Sequence, residues 1–170
     1  MINLGCKING GAALNAAMQR LPAKIEANVM RGALRDGAKA VRDDAEQRIK
    51  SRSGRLAASV RIGTIVRNGR VTAYVRAGKG GKKGAAVFYA HMVEFGTAAH
   101  VIKAPPGAKL RVNGLFFDSV NHPGARKSPF LRPALDTKAS DALSRATGYA
   151  RRRLATKYGI ETPDPQEGDE

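Results

Sequence analysis

The sequence has no tryptophan, one cysteine and few aromatic residues, which make up 5% of its 170 positions. Because Cys6 has no cysteine partner in the chain, an internal disulfide is excluded, which favours a reducing compartment. No apolar run approaches the roughly 20 residues that a membrane-spanning helix needs. Residues 1–4 lack the basic and long apolar regions of a signal peptide, so we expect neither membrane insertion nor export.

Acidic residues are also scarce, since fourteen Asp and Glu face thirty Lys and Arg, for a net charge of +16. Five of the fourteen acids lie in residues 161–170, which contain no base, so the basic excess is concentrated in the first 160 residues. A body this basic is expected to meet polyanions or acidic protein surfaces. Nucleic acid and the acidic faces of neighbouring subunits are both candidate partners.

Apolar residues are plentiful, at 42% of the chain, and their spacing predicts the first half of the fold. Strict alternation over residues 2–8 predicts a half-buried strand. Helical spacing then predicts a short helix that Pro22 ends or kinks. A second helix, over residues 23–50, has a stripe rich in alanine and is predicted to be the longest element, lying across a sheet.

Turn dipeptides predict two hairpins in the rest of the chain. Asn68-Gly69 and Asn113-Gly114 each tolerate positive φ and each separates two apolar runs. The stretch 86–95 fits either a strand or a short helix, and residues 121–128 are predicted to form a loop. The strands are expected near residues 60–64, 71–77, 101–102, 110–112 and 115–117.

A C-terminal helix is predicted to begin near Pro129 or Pro133 and to end before Gly159. The sequence thus predicts an α+β fold, with an antiparallel β-sheet packed against one long α-helix and a C-terminal helix. Residues 1–160 are predicted to form one domain, and residues 161–170 an acidic disordered tail.

Motifs for catalysis are not found. The glycine and lysine spacing at 78–84 differs from that of a phosphate-binding loop, and no Gly-x-Ser-x-Gly pattern is present. The histidines are His91, His100 and His122, and the His91–Glu94 spacing would supply only two ligands of a zinc site. We therefore expect neither an enzyme nor a bound metal or cofactor.

Glu94 stands between the apolar residues Val93 and Phe95. A carboxylate in an apolar setting must be paired or hydrogen-bonded. A backbone amide or an arginine would serve, either in the same subunit or in the next one.

Basic clusters make nucleic-acid binding the main alternative function. Lys79, Lys82 and Lys83 lie in a glycine-rich segment, 78–85, predicted to be a mobile loop. Arg151, Arg152 and Arg153 lie near the end of the last helix, where they would also complement the helix dipole. Both clusters suit phosphate contacts, but aromatic residues are not interleaved with them, which disfavours a stacking platform for single strands.

Three segments in this order resemble one protein family. They are Ser-Gly-Arg-Leu-Ala-Ala-Ser-Val at 53–60, Tyr-Ala-His-Met-Val-Glu-Phe-Gly-Thr at 89–97, and His-Pro-Gly at 122–124 followed by Pro-Phe-Leu-Arg-Pro-Ala at 129–134. Together with the preceding long helix, they resemble the gene-product-ten-like tail components of lambdoid and related siphophages. The resemblance spans about residues 4–155, and the basic loop and the acidic tail are not explained by it.

The resemblance implies a virion protein that is assembled in the host cytoplasm and acts in the neck or in tail completion at the head–tail junction. It implies a homo-oligomeric ring, a hexamer or dodecamer, in contact with connector, neck and tail-tube or terminator proteins, with DNA in the ring channel. Rigid aromatic anchors are typical of interface cores. The interface residues expected on this basis are Tyr89, Glu94, Phe95, Phe130 and Arg132. The alternative is that Phe95 and Phe130 are core residues.

Overall fold

The computed structural model describes residues 11–50, 53–78 and 87–162. Three predictions therefore lie partly or wholly outside the described residues: the strand at 2–8, the basic loop beyond Gly78 and most of the acidic tail. The division into a domain at 1–160 and a tail stays a prediction. The elements are α1 (Gly11–Gln19), α2 (Ala23–Arg48), a 3₁₀ turn (Ala57–Ser59), β1 (Arg61–Arg67), β2 (Arg70–Arg76), α3 (Ala90–Phe95), β3 (His100–Lys103), β4 (Leu110–Val112), β5 (Leu115–Phe117), β6 (Ser119–His122) and α4 (Leu131–Tyr158).

The two long helices form the body of the molecule. They run antiparallel, because Ala33 of α2 packs with Ala146 and Ala150 of α4, whereas Ala45 packs with Ala134 at the other end. Small residues let the backbones approach closely, and a Cβ on Gly37 would lie 2.3 Å from the Ala142 carbonyl oxygen. The prediction that the helix over 23–50 is the longest element is wrong: α2 has 26 residues and α4 has 28.

The apolar residues divide into two clusters along this helix pair. One cluster surrounds Phe130 and Leu56 and also receives side chains from the β1–β2 hairpin and α3. The other cluster surrounds Val29 and Leu154 and includes Met18 of α1. Alanine supplies much of the stripe on α2, so its apolar contribution depends on close contact with α4.

The first predicted hairpin is confirmed. Its strands β1 and β2 pair antiparallel from Arg61 opposite Arg76 to Arg67 opposite Arg70, and Asn68 and Gly69 both have positive φ. The hairpin packs on α2, as predicted for the long helix and a sheet.

The second predicted hairpin belongs to a longer two-stranded segment, residues 98–124, which we call the arm. Strand β3 pairs with β6 at its base, β4 pairs with β5 near its tip, and Asn113-Gly114 forms the tip turn. The prediction of a loop from residue 121 is wrong, because β6 includes Asn121 and His122. Within the described residues the strands form three separate two-stranded sheets.

Candidate functional site

The junction between α3 and α4 is held by one carboxylate. Glu94, which is only 7% exposed, accepts hydrogen bonds from the backbone N–H groups of Phe130 and Leu131 through Oε2, at 2.8 and 3.0 Å. Its Oε1 accepts a third from the N–H of Arg132, at 3.1 Å. The first N–H groups of a helix have no partner within the helix, and the helix dipole favours an anion there. Glu94 therefore caps α4 from a distant part of the chain.

This arrangement shows which groups hydrogen-bond the buried Glu94 carboxylate. The partners are backbone amides of the same chain, one of the alternatives left open by the sequence. Among the described residues the Arg132 side chain forms no ion pair, so the pairing of Glu94 with Arg132 is made through the Arg132 backbone alone. The Ser128 N–H also donates to the Val93 carbonyl at 2.8 Å, which ties the segment before α4 to α3.

The five residues predicted for an interface are brought together at this junction, but they differ in exposure. Phe130 is 1% exposed and forms part of the core, and Tyr89 is half-buried. Phe95 is 78% exposed, and Arg132 is also exposed. Phe95 and Arg132 are thus available to a partner, whereas Glu94 and Phe130 can act only by positioning them.

An apolar groove opens beside Phe95 and Arg132. Its volume is about 920 Å³, and α2, α4, β2 and α3 all contribute to its walls. Most of the residues that line it are alanine or leucine, and Leu135 is 38% exposed. The residues that line it include Leu34, Ala38, Tyr74, Leu135, Ala139 and Leu143.

The arm is the second exposed apolar surface. Of the residues in its four strands, all but Leu110 and Val120 are exposed. In β4 and β5, Leu110 lies opposite Phe117, and Val112 lies opposite Leu115. Directly opposed residues, and residues two apart in one strand, share a face of the ribbon.

These four apolar residues therefore form one face at the tip, the tip patch. Phe116 lies on the opposite face of the same ribbon. In the described part of the chain, neither core cluster contains an arm residue, so the tip patch is not part of the core of its own subunit.

The root of the arm is fixed to the α3–α4 junction. Thr97 and Ala125 exchange backbone hydrogen bonds of 3.0 and 3.2 Å, and Thr97 Oγ1 accepts a further bond from the Ala125 N–H. Gly124 has φ of 87°, and a Cβ there would lie 2.1 Å from the Thr97 carbonyl oxygen. Only glycine fits both conditions.

The predicted basic surface is described only in part. Lys79, Lys82 and Lys83 lie outside the described residues. Arg151 is half-buried on α4, whereas Arg152 and Arg153 are exposed.

The histidines do not form a metal site in the described part of the chain, where no group of three or more potential ligands occurs. Glu94 is occupied by amides, and His91 is exposed at the groove. His100 and His122 lie opposite each other across β3 and β6 with ring centroids 5.0 Å apart, and His122 Nδ1 accepts a hydrogen bond from the Gly124 N–H.

The described helices include none with the length and apolar character to cross a bilayer.

The sequence interpretation missed both the groove and the tip patch as surfaces. Alternation at Leu110, Val112, Leu115 and Phe117 indicated the tip patch, since it places four apolar residues on one face of a hairpin. The groove had no local signal, because its walls come from four elements that are distant in sequence.

The chain matches the model of a known protein family. The family model described as "Bacteriophage HK97-gp10, putative tail-component" matches residues 12–96, half of the chain, from α1 to the end of α3. No curated protein and no solved structure matched.

Proposed function

The chain belongs to the HK97-gp10-like family of bacteriophage tail components, and we propose that it is a ring-forming neck or tail-completion protein at the head–tail junction. The family supports a role among the structural proteins of a virion. The finer assignment to a ring at the junction depends on the residue-level resemblance together with the surfaces of this chain.

The observation that carries the proposal is the arm. A ribbon of two strands is marginally stable on its own, yet this one exposes large apolar side chains, including Leu115 at 64% and Phe116 at 66%. Surfaces of this kind are typical of proteins that complete their packing against another subunit. The chain's proposed role is therefore assembly, with no reaction catalysed.

Charge supports the choice of partners. The net charge of +16 favours contact with acidic surfaces of connector and tail proteins, and with DNA that passes through a ring channel. A closed ring of six or twelve copies would place many such charges around one axis. Arg152 and Arg153 are exposed and suited to these contacts.

The test is in vitro joining. Heads and tails from a phage that lacks this protein would be mixed with the purified chain, and joined particles counted by electron microscopy. We expect joining to depend on added protein. Joining that proceeds equally well without it would contradict the proposal.

The high positive charge also supports a second function, binding of nucleic acid without ring assembly. Light scattering during DNA titration distinguishes the two. Salt-sensitive DNA binding by a chain that stays monomeric, also in the presence of tails, would favour the second function.

A further inference from the structure

We infer that the arm of one subunit docks with its tip patch in the apolar groove of the next copy of this chain. This inference rests on the proposed ring, and it names the two surfaces that meet. The contact joins residues 98–124 of one subunit to the walls formed by α2, β2, α3 and α4 of its neighbour.

The arm needs a partner for a physical reason. Its tip patch consists of Leu110, Val112, Leu115 and Phe117, and a two-stranded ribbon has no second layer to cover such a face. Phe117 remains 40% exposed although it is paired across the ribbon. Burying these side chains would contribute stability in proportion to the apolar area removed from water.

Within the described residues, the groove has no partner from its own chain. Among the described residues that line it, none comes from the arm. The arm's strands are exposed in the same subunit, and its root is held at Thr97 and Ala125. In the part of the chain that the structure describes, both apolar surfaces are therefore open, and contact with a second copy covers both.

Area indicates that the contact extends beyond the tip patch. Since a fully exposed large side chain presents about 150–250 Å², the exposed parts of Val112, Leu115 and Phe117 present on the order of 300 Å². A stable interface buries about 800 Å² on each partner. The polar residues around the tip patch must therefore enter the contact as well.

Charge is compatible with two copies meeting in this way. The tip patch is uncharged, so two subunits of the same sign can meet there without opposing cations. Asp118 follows Phe117 directly and is the arm's only acid, whereas Arg132 is an exposed cation of the groove. Asp118 already pairs with Lys109 at 2.8 Å, so its attraction to Arg132 would orient the contact more than strengthen it.

The geometry of such a contact leads to a ring. The arm and the groove are different surfaces, so each subunit offers one to each neighbour, and contacts of this type close into rings when the rotation between subunits allows. The exposed Phe95 at the groove would then pack against the incoming arm.

Disulfide cross-linking tests the contact directly. Cys6 is the only cysteine, so a Cys6→Ser chain provides a thiol-free background. Phe117→Cys is placed on the arm of one preparation, and Leu135→Cys in the groove of another. After mixing and mild oxidation, we expect a disulfide-linked dimer, because the two Cα atoms must approach within about 7 Å for the bond to form.

The control uses a second exposed position on the same helix. Ala155 lies on α4 outside the groove, so a mixture of Phe117→Cys and Ala155→Cys chains should stay monomeric on a non-reducing gel. A chain with both Phe117→Cys and Leu135→Cys should give a ladder of bands, and its largest member reports the number of subunits.

Each mixture is oxidised twice, once as purified protein and once in the joining reaction with heads and tails. Absence of the arm–groove dimer from both would overturn the inference. A dimer from Phe117→Cys chains alone would overturn it in favour of arm–arm pairing, and cross-links only to head or tail proteins would show another occupant.

The joining count separates this inference from the proposed function. Joining that depends on the protein without arm–groove cross-links leaves the proposed function standing and removes the inference. Arm–groove cross-links by a protein that has no effect on joining would support the arm–groove contact and contradict the proposed function.

Discussion

Glu94 shows how one side chain can determine the position of a whole element. Its carboxylate accepts hydrogen bonds from three successive amides at the start of α4, a helix whose N-cap residue, Phe130, provides no side-chain cap. The same residue lies in α3, next to the exposed Phe95 and just before the root of the arm. The relative placement of α4, Phe95 and the arm therefore depends on one buried acid.

Replacing Glu94 by alanine should lower the free energy of unfolding by about 1–3 kcal/mol, because three helix N–H groups lose their acceptor. Glu94→Gln is the matched control. It retains one acceptor oxygen without the charge, so its loss should be intermediate. Urea denaturation of both variants measures the effect, and wild-type stability for Glu94→Ala would show that the cap is dispensable.

Phe95 and Phe130 should separate assembly from folding. Phe95→Ala removes an exposed ring and should change the free energy of unfolding by no more than about 0.5 kcal/mol, while reducing head–tail joining. Phe130→Ala empties the core and should cost about 3–5 kcal/mol. Thermal denaturation and the joining assay are measured for both variants. Unimpaired joining by Phe95→Ala would show that this residue is not part of the interface.

Sequence alone predicted part of this site. The apolar neighbours of Glu94 indicated that the acid must have a partner, but that partner lies 36–38 residues further along, where no local pattern points to it. Likewise, Phe95 and Phe130 are both aromatic residues beside turns. Which of them is buried depends on the packing of α2 and α4, and this is a tertiary property.

At the scale of elements, the close packing of α2 on α4 limits what can be substituted. Gly37→Ala places a Cβ 2.3 Å from a carbonyl oxygen of the α4 backbone, which cannot yield without separating the helices. We expect a loss of about 1–3 kcal/mol from overpacking, reduced by the roughly 1 kcal/mol that alanine gains in a helix.

Gly32→Ala is the control for that helix preference. Its Cβ would meet the Tyr149 ring, at 2.6 Å, and a side chain can move aside more easily than a backbone. Gly32→Ala should therefore be the more stable of the two variants in urea denaturation. The reverse order would show that the two helices do not approach as closely at Gly37 as they do here.

Elements with a strong local signal were predicted well. The two Asn-Gly turns, the helix from residue 23 and the start of α4 near Pro129 or Pro133 all follow from local chemistry. Strand β6 was missed because Ser119–His122 has only one apolar residue, Val120. It is a strand because the register of the arm places it opposite β3, and such pairing has no signature in a single short segment.

At the scale of the whole molecule, assembly should depend on one face of the arm. Phe117→Asp introduces a charge into the tip patch and should abolish oligomers and joining. Phe116→Asp changes an equally large residue on the opposite face and should retain both. Light scattering and the joining assay are compared for the two variants, and equal loss from both would show that the arm acts without a preferred face.

Because the arm is long, a small change of angle at its root displaces its tip by a much larger distance. The second half of the arm runs from Leu115 to Ala125. At about 3.3 Å per residue, the tip lies on the order of 30 Å from the Thr97–Ala125 pair at the root. Over that distance, a tilt of about 5° at the root displaces the tip by roughly 3 Å, enough to miss a side-chain-sized target. In the proposed assembly, the angular tolerance would thus be set at the Thr97–Ala125 bridge, where Gly124 is held tightly against the Thr97 carbonyl.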